Sequence, residues 1–365
     1  MNVLKWLNQD VEGITPYEPG KPVEDVAREM GLDPDAIIKI ASNENPLGPA
    51  RKSIRAMRDA VKEMHIYPDG GTYRLRNKLA ETHGLDPGQF VVGAGSNEVL
   101  EFIGHCFMGP NRSVVASSHA FVVYKLIARM FGTELIDVPT KGLGHDLTAM
   151  RRAIRPDTSV IFICNPNNPT GTLVRQAQVR RFMEQVPDDV LVVFDEAYAE
   201  IALSRMPDTL RYVRDKRNVI VLRTFSKAYG LAGLRVGYGM GPVPIITALQ
   251  KARQPFNVNR MAQLAATAAL DDHGFLRRSR RLFRAGRETL EAACAELGLE
   301  YERSYANFML IRVGDAQAVT ADLMKRGVIV RPMAGYGLPE HIRVSFGTEQ
   351  ENERFIAELK QVLNG

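Results

Sequence analysis

Between about residues 89 and 240, short apolar runs rich in β-branched side chains alternate with stretches of helical periodicity. No other feature constrains the fold as much. The runs are Gln89–Val92, Ser113–Ala116, Val160–Cys164, Val190–Phe194, Val219–Arg223 and Arg235–Tyr238. Continuous apolar runs of this length read as strands buried on both faces. Strands alternating with helices build an α/β fold, a mostly parallel sheet covered by helices, whose ligands sit in the crevice beyond the carboxyl ends of the strands. Beyond about residue 255 the pattern changes. Helices predicted over Ala262–Leu270 and Phe275–Leu297 are followed by alternating segments at Phe308–Val313, Val328–Arg331 and His341–Phe346, which suggest a smaller α+β domain. The first forty residues carry Pro16, Pro19, Gly20 and Pro22 and read as an extended arm. The expected division is an arm over 1–40, a large domain over 41–258 and a small domain over 259–365.

A chain of 365 residues is long enough for roughly two domains at about 100–200 residues each. With 24% charged and 45% hydrophobic residues it has the balance of a globular protein and excludes disorder. Cys106, Cys164 and Cys294 are widely spaced and form no CxxC pair, so neither a disulfide framework nor a zinc ribbon is expected. Lys5, Asp10 and Glu12 interrupt any apolar core of a signal peptide, and a cytoplasmic location is expected. No run approaches the roughly 18 apolar residues that span a bilayer. A net charge of +5 is too mild to argue for nucleic acid. The densest basic run, Arg277 to Arg287, lies among Phe275, Leu282, Phe283, Leu290 and Ala293 at helical spacing, so its arginines form a solvated face.

Three strand ends carry chemistry. The first runs through Gly93-Ala-Gly95-Ser96-Asn97-Glu98 into an apolar helix, which offers free N–H groups and a positive dipole end to an anion. It fails as a dinucleotide fingerprint because Glu98 stands at the third glycine position. Asp195 closes the run Val190–Phe194, where desolvation makes an unpaired carboxylate costly. It either caps a helix or meets a cation. The seven histidines form no ligand pair near it, so an organic cation is the better partner and no metal is expected. Lys227 follows the strand Asn218 to Arg223, between Ser226 and the glycine-rich stretch leading to Arg235. Burial and neighbouring cations lower an ammonium pKa and make such a lysine a carbonyl nucleophile. A nucleophilic lysine, hydroxyls at Thr224 and Ser226, Arg235, an anion-ready turn and a buried carboxylate together describe pyridoxal 5'-phosphate, a phosphorylated aldehyde with a basic ring nitrogen.

The stretches Asn165-Pro-Asn-Asn168-Pro-Thr-Gly171, Asp195-Glu-Ala-Tyr198, and Thr224-Phe-Ser-Lys227 through Arg235 resemble the fold-type I pyridoxal-phosphate aminotransferases, in order and spacing. Flanking pieces resemble one branch, the histidinol-phosphate aminotransferases: Pro16-Tyr17 to Pro22, Ser42-Asn-Glu-Asn-Pro-Leu-Gly48, Tyr67-Pro-Asp69, Val328-Ile-Val-Arg331-Pro and His341-Ile-Arg343-Val-Ser. The resemblance implies a large domain with a mostly parallel seven-stranded sheet, a smaller C-terminal domain and an N-terminal arm. It implies that Lys227 joins the cofactor and moves the proton between substrate and cofactor. Asp195 would keep the pyridine nitrogen protonated, and Asn168 and Tyr198 would hold the phenolic oxygen. Phe121 would stack on the ring, where many relatives carry Tyr. Ser96, Asn97, Ser226 and Arg235, with Thr224, would hold the phosphate, joined by Tyr67 from the other subunit of a homodimer. Arg343 would bind the carboxylate of glutamate in one half-reaction and the phosphate of histidinol phosphate in the other, with Arg331 and Tyr17 completing the phosphate contact. The implied activity exchanges an amino group between L-histidinol phosphate and 2-oxoglutarate in histidine biosynthesis. An aromatic amino-acid aminotransferase, which Arg331-Pro-Met-Ala-Gly-Tyr-Gly-Leu-Pro339 also resembles, and a phosphothreonine decarboxylase of cobalamin synthesis would use the same cofactor site. A non-enzymatic pyridoxal-phosphate regulator would need a helix-turn-helix ahead of Tyr17, and none is legible.

Overall fold

The computed structural model describes residues 2–7, 9–14 and 20–364. After the helix Val23–Met30 the chain forms a two-residue strand, β1 (Ile38–Lys39). Seven strands then build the larger sheet: β2 (Phe90–Gly93), β3 (Ser113–Ser117), β4 (Glu134–Val138), β5 (Thr158–Cys164), β6 (Leu191–Asp195), β7 (Val219–Thr224) and β8 (Gly237–Met240). Their spatial order is β2-β8-β7-β6-β5-β3-β4. Only β8 runs antiparallel to its neighbours in this sheet.

The continuous apolar runs are buried on both faces, as the pattern predicts. Val92, Val115, Ile161, Val192 and Val221 enter one core, while Val91, Val114, Val160, Val193 and Ile220 enter the other. Such alternation follows from the two-residue repeat of a strand. The strand β4 escapes the sequence pattern because it lies at the sheet edge and carries the exposed Glu134 and Asp137.

The smaller unit has four antiparallel strands in the order β12-β13-β10-β9. These are β9 (Tyr301–Glu302), β10 (Phe308–Arg312), β12 (Arg331–Met333) and β13 (Leu338–Ser345), while β11 (Val328–Ile329) pairs in parallel with β1. The expected single segment Val328–Arg331 thus divides between two sheets. Apolar residues of β10 and β13 pack with Phe283, Leu290 and Phe355.

The helix Arg260–Leu270 sends Ala262, Ala265, Ala266 and Ala269 into the larger core. Helix His273–Leu297 follows, beginning beside that core at Leu276 and ending in the smaller one at Leu290. We therefore place the passage between units inside this helix, beyond the expected division at 258/259. At the other end, β1 and Ile40 are bound to the smaller unit, so the arm expected over 1–40 ends inside it. Arg277, Arg278, Arg281 and Arg284 form the exposed face of the long helix. Among the described residues no helix is long and apolar enough to cross a membrane, and no group of His, Cys, Asp or Glu is arranged to hold a metal ion.

Candidate active site

β5 and β6 finish level, since Cys164 is the register partner of Asp195, while β7 continues past Leu222, the partner of Asp195, to Thr224. Beyond them lies a cavity of about 390 Å³. It brings together Ser96, Asn97, Phe121, Asn168, Asp195, Tyr198, Thr224, Ser226, Lys227, Arg235, Arg331 and Arg343 from both units. Tyr67 is not among them. It is 76% exposed and stacks on Phe256 with ring centroids 4.7 Å apart. Tyr17 lies outside the described residues.

Asp195 is 3% exposed, and burial raises its carboxyl to about 6. Its Oδ2 accepts a hydrogen bond from the buried Tyr124 hydroxyl at 2.8 Å. Its Oδ1 is buried with no hydrogen-bond partner. An unmet carboxylate oxygen in a cavity wall is the acceptor that a cationic N–H donor would satisfy. The neighbouring acid is neutralised elsewhere: Glu196 Oε2 accepts from Arg223 Nη2 at 2.8 Å and Nε at 3.1 Å. The backbone thus presents one acid to the cavity and turns the next away.

Lys227 donates from Nζ to the Ser42 carbonyl at 3.4 Å. Burial first, and then the Arg343 charge, lower its ammonium to about 8. Such an amine loses its proton well below the usual lysine range and becomes a nucleophile.

One corner is shaped for an anion. Gly95, at φ +84, turns the chain from β2 into the helix Ser96–Phe107. The backbone conformation favours glycine, and a Cβ there would stand 2.6 Å from Arg235 Nη2 and displace the guanidinium. Arg235 Nη1 lies 3.4 Å from Ser226 Oγ, which accepts from Thr224 Oγ1 at 3.0 Å. Helix N-terminus, hydroxyls and guanidinium converge there as in phosphate sites.

Arg343 lies on the inner strand β13 and is 8% exposed. Its Nη1 donates to Asn168 Oδ1 at 2.6 Å and its Nη2 to the Ala41 carbonyl at 2.8 Å. Arg331 is its register partner on β12. Tyr198 accepts from Asn43 Nδ2 at 3.0 Å, and burial pushes its phenol up.

Sequence reasoning missed Tyr124, Asn43 and Tyr336. Asn43 lies within Ser42–Gly48 and Tyr336 within Arg331–Pro339, two stretches whose pattern gives neither residue a role. Tyr124 follows Phe121 in an apolar helix, where tyrosine reads as core; its partner Asp195 is 71 residues away.

The profile of the class I and II aminotransferases matches residues 35–359. The chain belongs to this family. A histidinol-phosphate aminotransferase of Akkermansia muciniphila is 50% identical over 364 residues, covering 100% of both chains. Histidinol-phosphate aminotransferase 1 of Dechloromonas aromatica is 49% identical over 97% of each. Among solved structures, the histidinol-phosphate aminotransferase of Sinorhizobium meliloti in complex with pyridoxal-5'-phosphate superposes with a TM-score of 0.90 at 28% identity, covering 98% of each chain. An aspartate aminotransferase of Thermus thermophilus shares the fold at a TM-score of 0.82 and 24% identity, covering 98% of this chain and 99% of its own. The family's fold is therefore the α/β architecture described above, a large mostly parallel sheet with a separate antiparallel C-terminal sheet.

Proposed function

We propose that this chain is a pyridoxal-phosphate-dependent aminotransferase that exchanges an amino group between L-histidinol phosphate and 2-oxoglutarate in L-histidine biosynthesis. The observation that carries the reading is the facing pair Arg331 and Arg343 at the cavity that also holds Lys227 and Asp195. A guanidinium fork binds carboxylate or phosphate with equal geometric ease, and a second arginine suits the dianion. Relatives of about half identity over the whole chain carry the matching name.

The residues present fit the cofactor. The unmet Asp195 Oδ1 suits a protonated pyridine nitrogen, and the corner of Ser96, Asn97, Thr224, Ser226 and Arg235 suits the phosphate. Phe121 offers a face for stacking. When bound, pyridoxal phosphate supplies an aldehyde that captures amines reversibly and a ring that spreads the charge left when substrate Cα loses its proton. Asp195, ionised, holds the proton on the ring nitrogen and keeps the ring electron-poor. Lys227 Nζ takes the proton from substrate Cα and returns it at the other end of the exchange. Asn168 and Tyr198 would hold the phenolic oxygen; Arg331 and, by the resemblance, Tyr17 would complete the contact with the substrate phosphate.

The proposal includes a homodimer, with Tyr67 serving the partner's phosphate corner. Exposed Val61, Met64, Ile66, Tyr67, Tyr73 and Phe256 gather apolar surface around that tyrosine, as an interface between copies would. A cytoplasmic setting suits three cysteines that all stand as free thiols.

Single-turnover amination of the cofactor-loaded protein tests the reading, with histidinol phosphate, phenylalanine, tyrosine and phosphothreonine side by side. Histidinol phosphate is expected to give the largest second-order rate constant. Preference for phenylalanine would make the chain an aromatic aminotransferase, and carbon dioxide from phosphothreonine would make it a decarboxylase.

A further inference from the structure

His119 meets the turn Ala334–Tyr336 across the gap between the two units. It follows β3 two positions before Phe121, and its Nδ1 lies 2.7 Å from the Tyr336 carbonyl oxygen. A carbonyl only accepts, so Nδ1 carries the proton and donates it. The backbone of His119 is pinned in turn, its carbonyl accepting from the buried Asn167 Nδ2 at 2.8 Å. The next residue of the turn, Gly337, adopts φ +73, and a Cβ there would touch His119 Cε1 at 3.5 Å, so the turn lies against the imidazole. Leu143 of the larger unit packs with Leu310, Met333, Leu338 and Tyr336 beside this contact.

Three aromatic side chains line the cavity among the described residues: Phe121, Tyr198 and Tyr336. The first two face the cofactor ring in the reading above, which leaves Tyr336 with no task in the exchange itself. Resting on that reading, we propose that Tyr336 is a specificity-determining residue, the wall against which the ring-bearing end of the substrate packs, and that His119 is the positioning residue that sets this wall. An aromatic wall suits a planar heterocycle through stacked or edge contacts, and glutamate has no ring to place there. The Arg343 part of the anion contact does not depend on the tether, and Tyr336→Leu, which leaves the turn bonded to His119, separates the wall from Arg331 on the adjoining β12. Arg343 is seated independently on Asn168 and the Ala41 carbonyl. Releasing the turn should therefore cost the ring substrate more than it costs glutamate.

The test compares His119→Ala, His119→Asn and Tyr336→Leu, singly and with the two sites combined, in each half-reaction. His119→Ala should lower kcat/KM for histidinol phosphate about fivefold to tenfold more than for glutamate, mainly through KM, as for one lost hydrogen bond. His119→Asn keeps a donor near the Nδ1 position and should restore most of the loss. Tyr336→Leu retains the backbone carbonyl but removes the wall, and its effect should be non-additive with His119→Ala. In a Lys227→Ala background, which cannot turn over, the same variants should weaken equilibrium binding of histidinol phosphate by a similar factor. Equal losses for both substrates, a loss in kcat alone, or strict additivity would overturn the proposal. If the unaltered enzyme prefers phenylalanine, the parent reading fails while the ring-to-glutamate ratio in the variants still decides this one. An enzyme that aminates with no ring-bearing substrate overturns both.

Discussion

Burial moves the two central ionisable groups in opposite directions, raising Asp195 to about 6 and lowering Lys227 to about 8. Each shift disfavours the charged form, as desolvation must. Tyr124 opposes the shift on Asp195 by donating to Oδ2, which favours the carboxylate. Tyr124→Phe should therefore raise the Asp195 value further and move the acid limb of kcat/KM to higher pH, with a stability cost of about 1–3 kcal/mol for the orphaned acceptor. An acid limb that stays in place would remove Tyr124 from this role. In the cofactor-free protein, folded Asp195 retains a proton that the unfolded chain releases between its ordinary 3.8 and about 6, so its contribution to stability falls as pH rises through that window. Lys227 contributes the reverse, a gain in stability as pH rises from about 8 to its ordinary 10.5. Replacing Lys227 with Ala should abolish turnover while the phosphate corner and Asp195 still retain the cofactor. Borohydride reduction of the unaltered protein should fix the cofactor to Lys227, and label on any other lysine would contradict the assignment.

The turn from β2 into the helix Ser96–Phe107 concentrates the anion corner at one glycine. Gly95→Ala combines a strained positive φ, worth about 1–3 kcal/mol, with a Cβ pressed on Arg235. Cofactor affinity should fall by tenfold or more, an order-of-magnitude figure that matches about 1.4 kcal/mol. Fluorescence titration of the cofactor-free protein with pyridoxal phosphate reads this directly, and undiminished affinity would place the phosphate elsewhere. The turn was legible as a glycine-rich passage from a buried strand into an apolar helix, a pattern that by itself fits a bare strand-to-helix turn as well as an anion site. The strands β2, β3, β5, β6 and β7 were legible as unbroken apolar runs. Less was legible at edges and partners. Glu134 and Asp137 disguise β4, and nothing local to Val328–Arg331 reveals that β11 pairs with β1 while β12 pairs with β13. Tyr124 and Asn43 were illegible as site residues because their meaning lies in partners distant in sequence.

At the scale of the whole molecule, the site exists because the smaller unit brings β12 and β13 to the carboxyl edge of the larger sheet. Arg343 is the joint, bonded to Asn168 of the larger unit and to Ala41 of the segment that links β1 to the cavity. In the proposed homodimer a second copy of the chain completes it. Mixing inactive Lys227→Ala protein with weakened Tyr67→Ala protein should restore activity, since one site of the hybrid regains both side chains. No recovery on mixing would confine Tyr67 to its own chain. In the proposed exchange one anion site alternates between a carboxylate and a phosphate. Its most direct measurement is the second-order rate constant of each half-reaction in Arg343→Lys, with Arg331→Ala beside it. Arg343→Lys keeps the charge but loses the planar fork, and both half-reactions should weaken by about 1.5–3 kcal/mol, as for a charge-assisted hydrogen bond. Arg331→Ala should weaken the histidinol phosphate half-reaction more than the glutamate one. Loss confined to glutamate in Arg343→Lys would contradict the shared site.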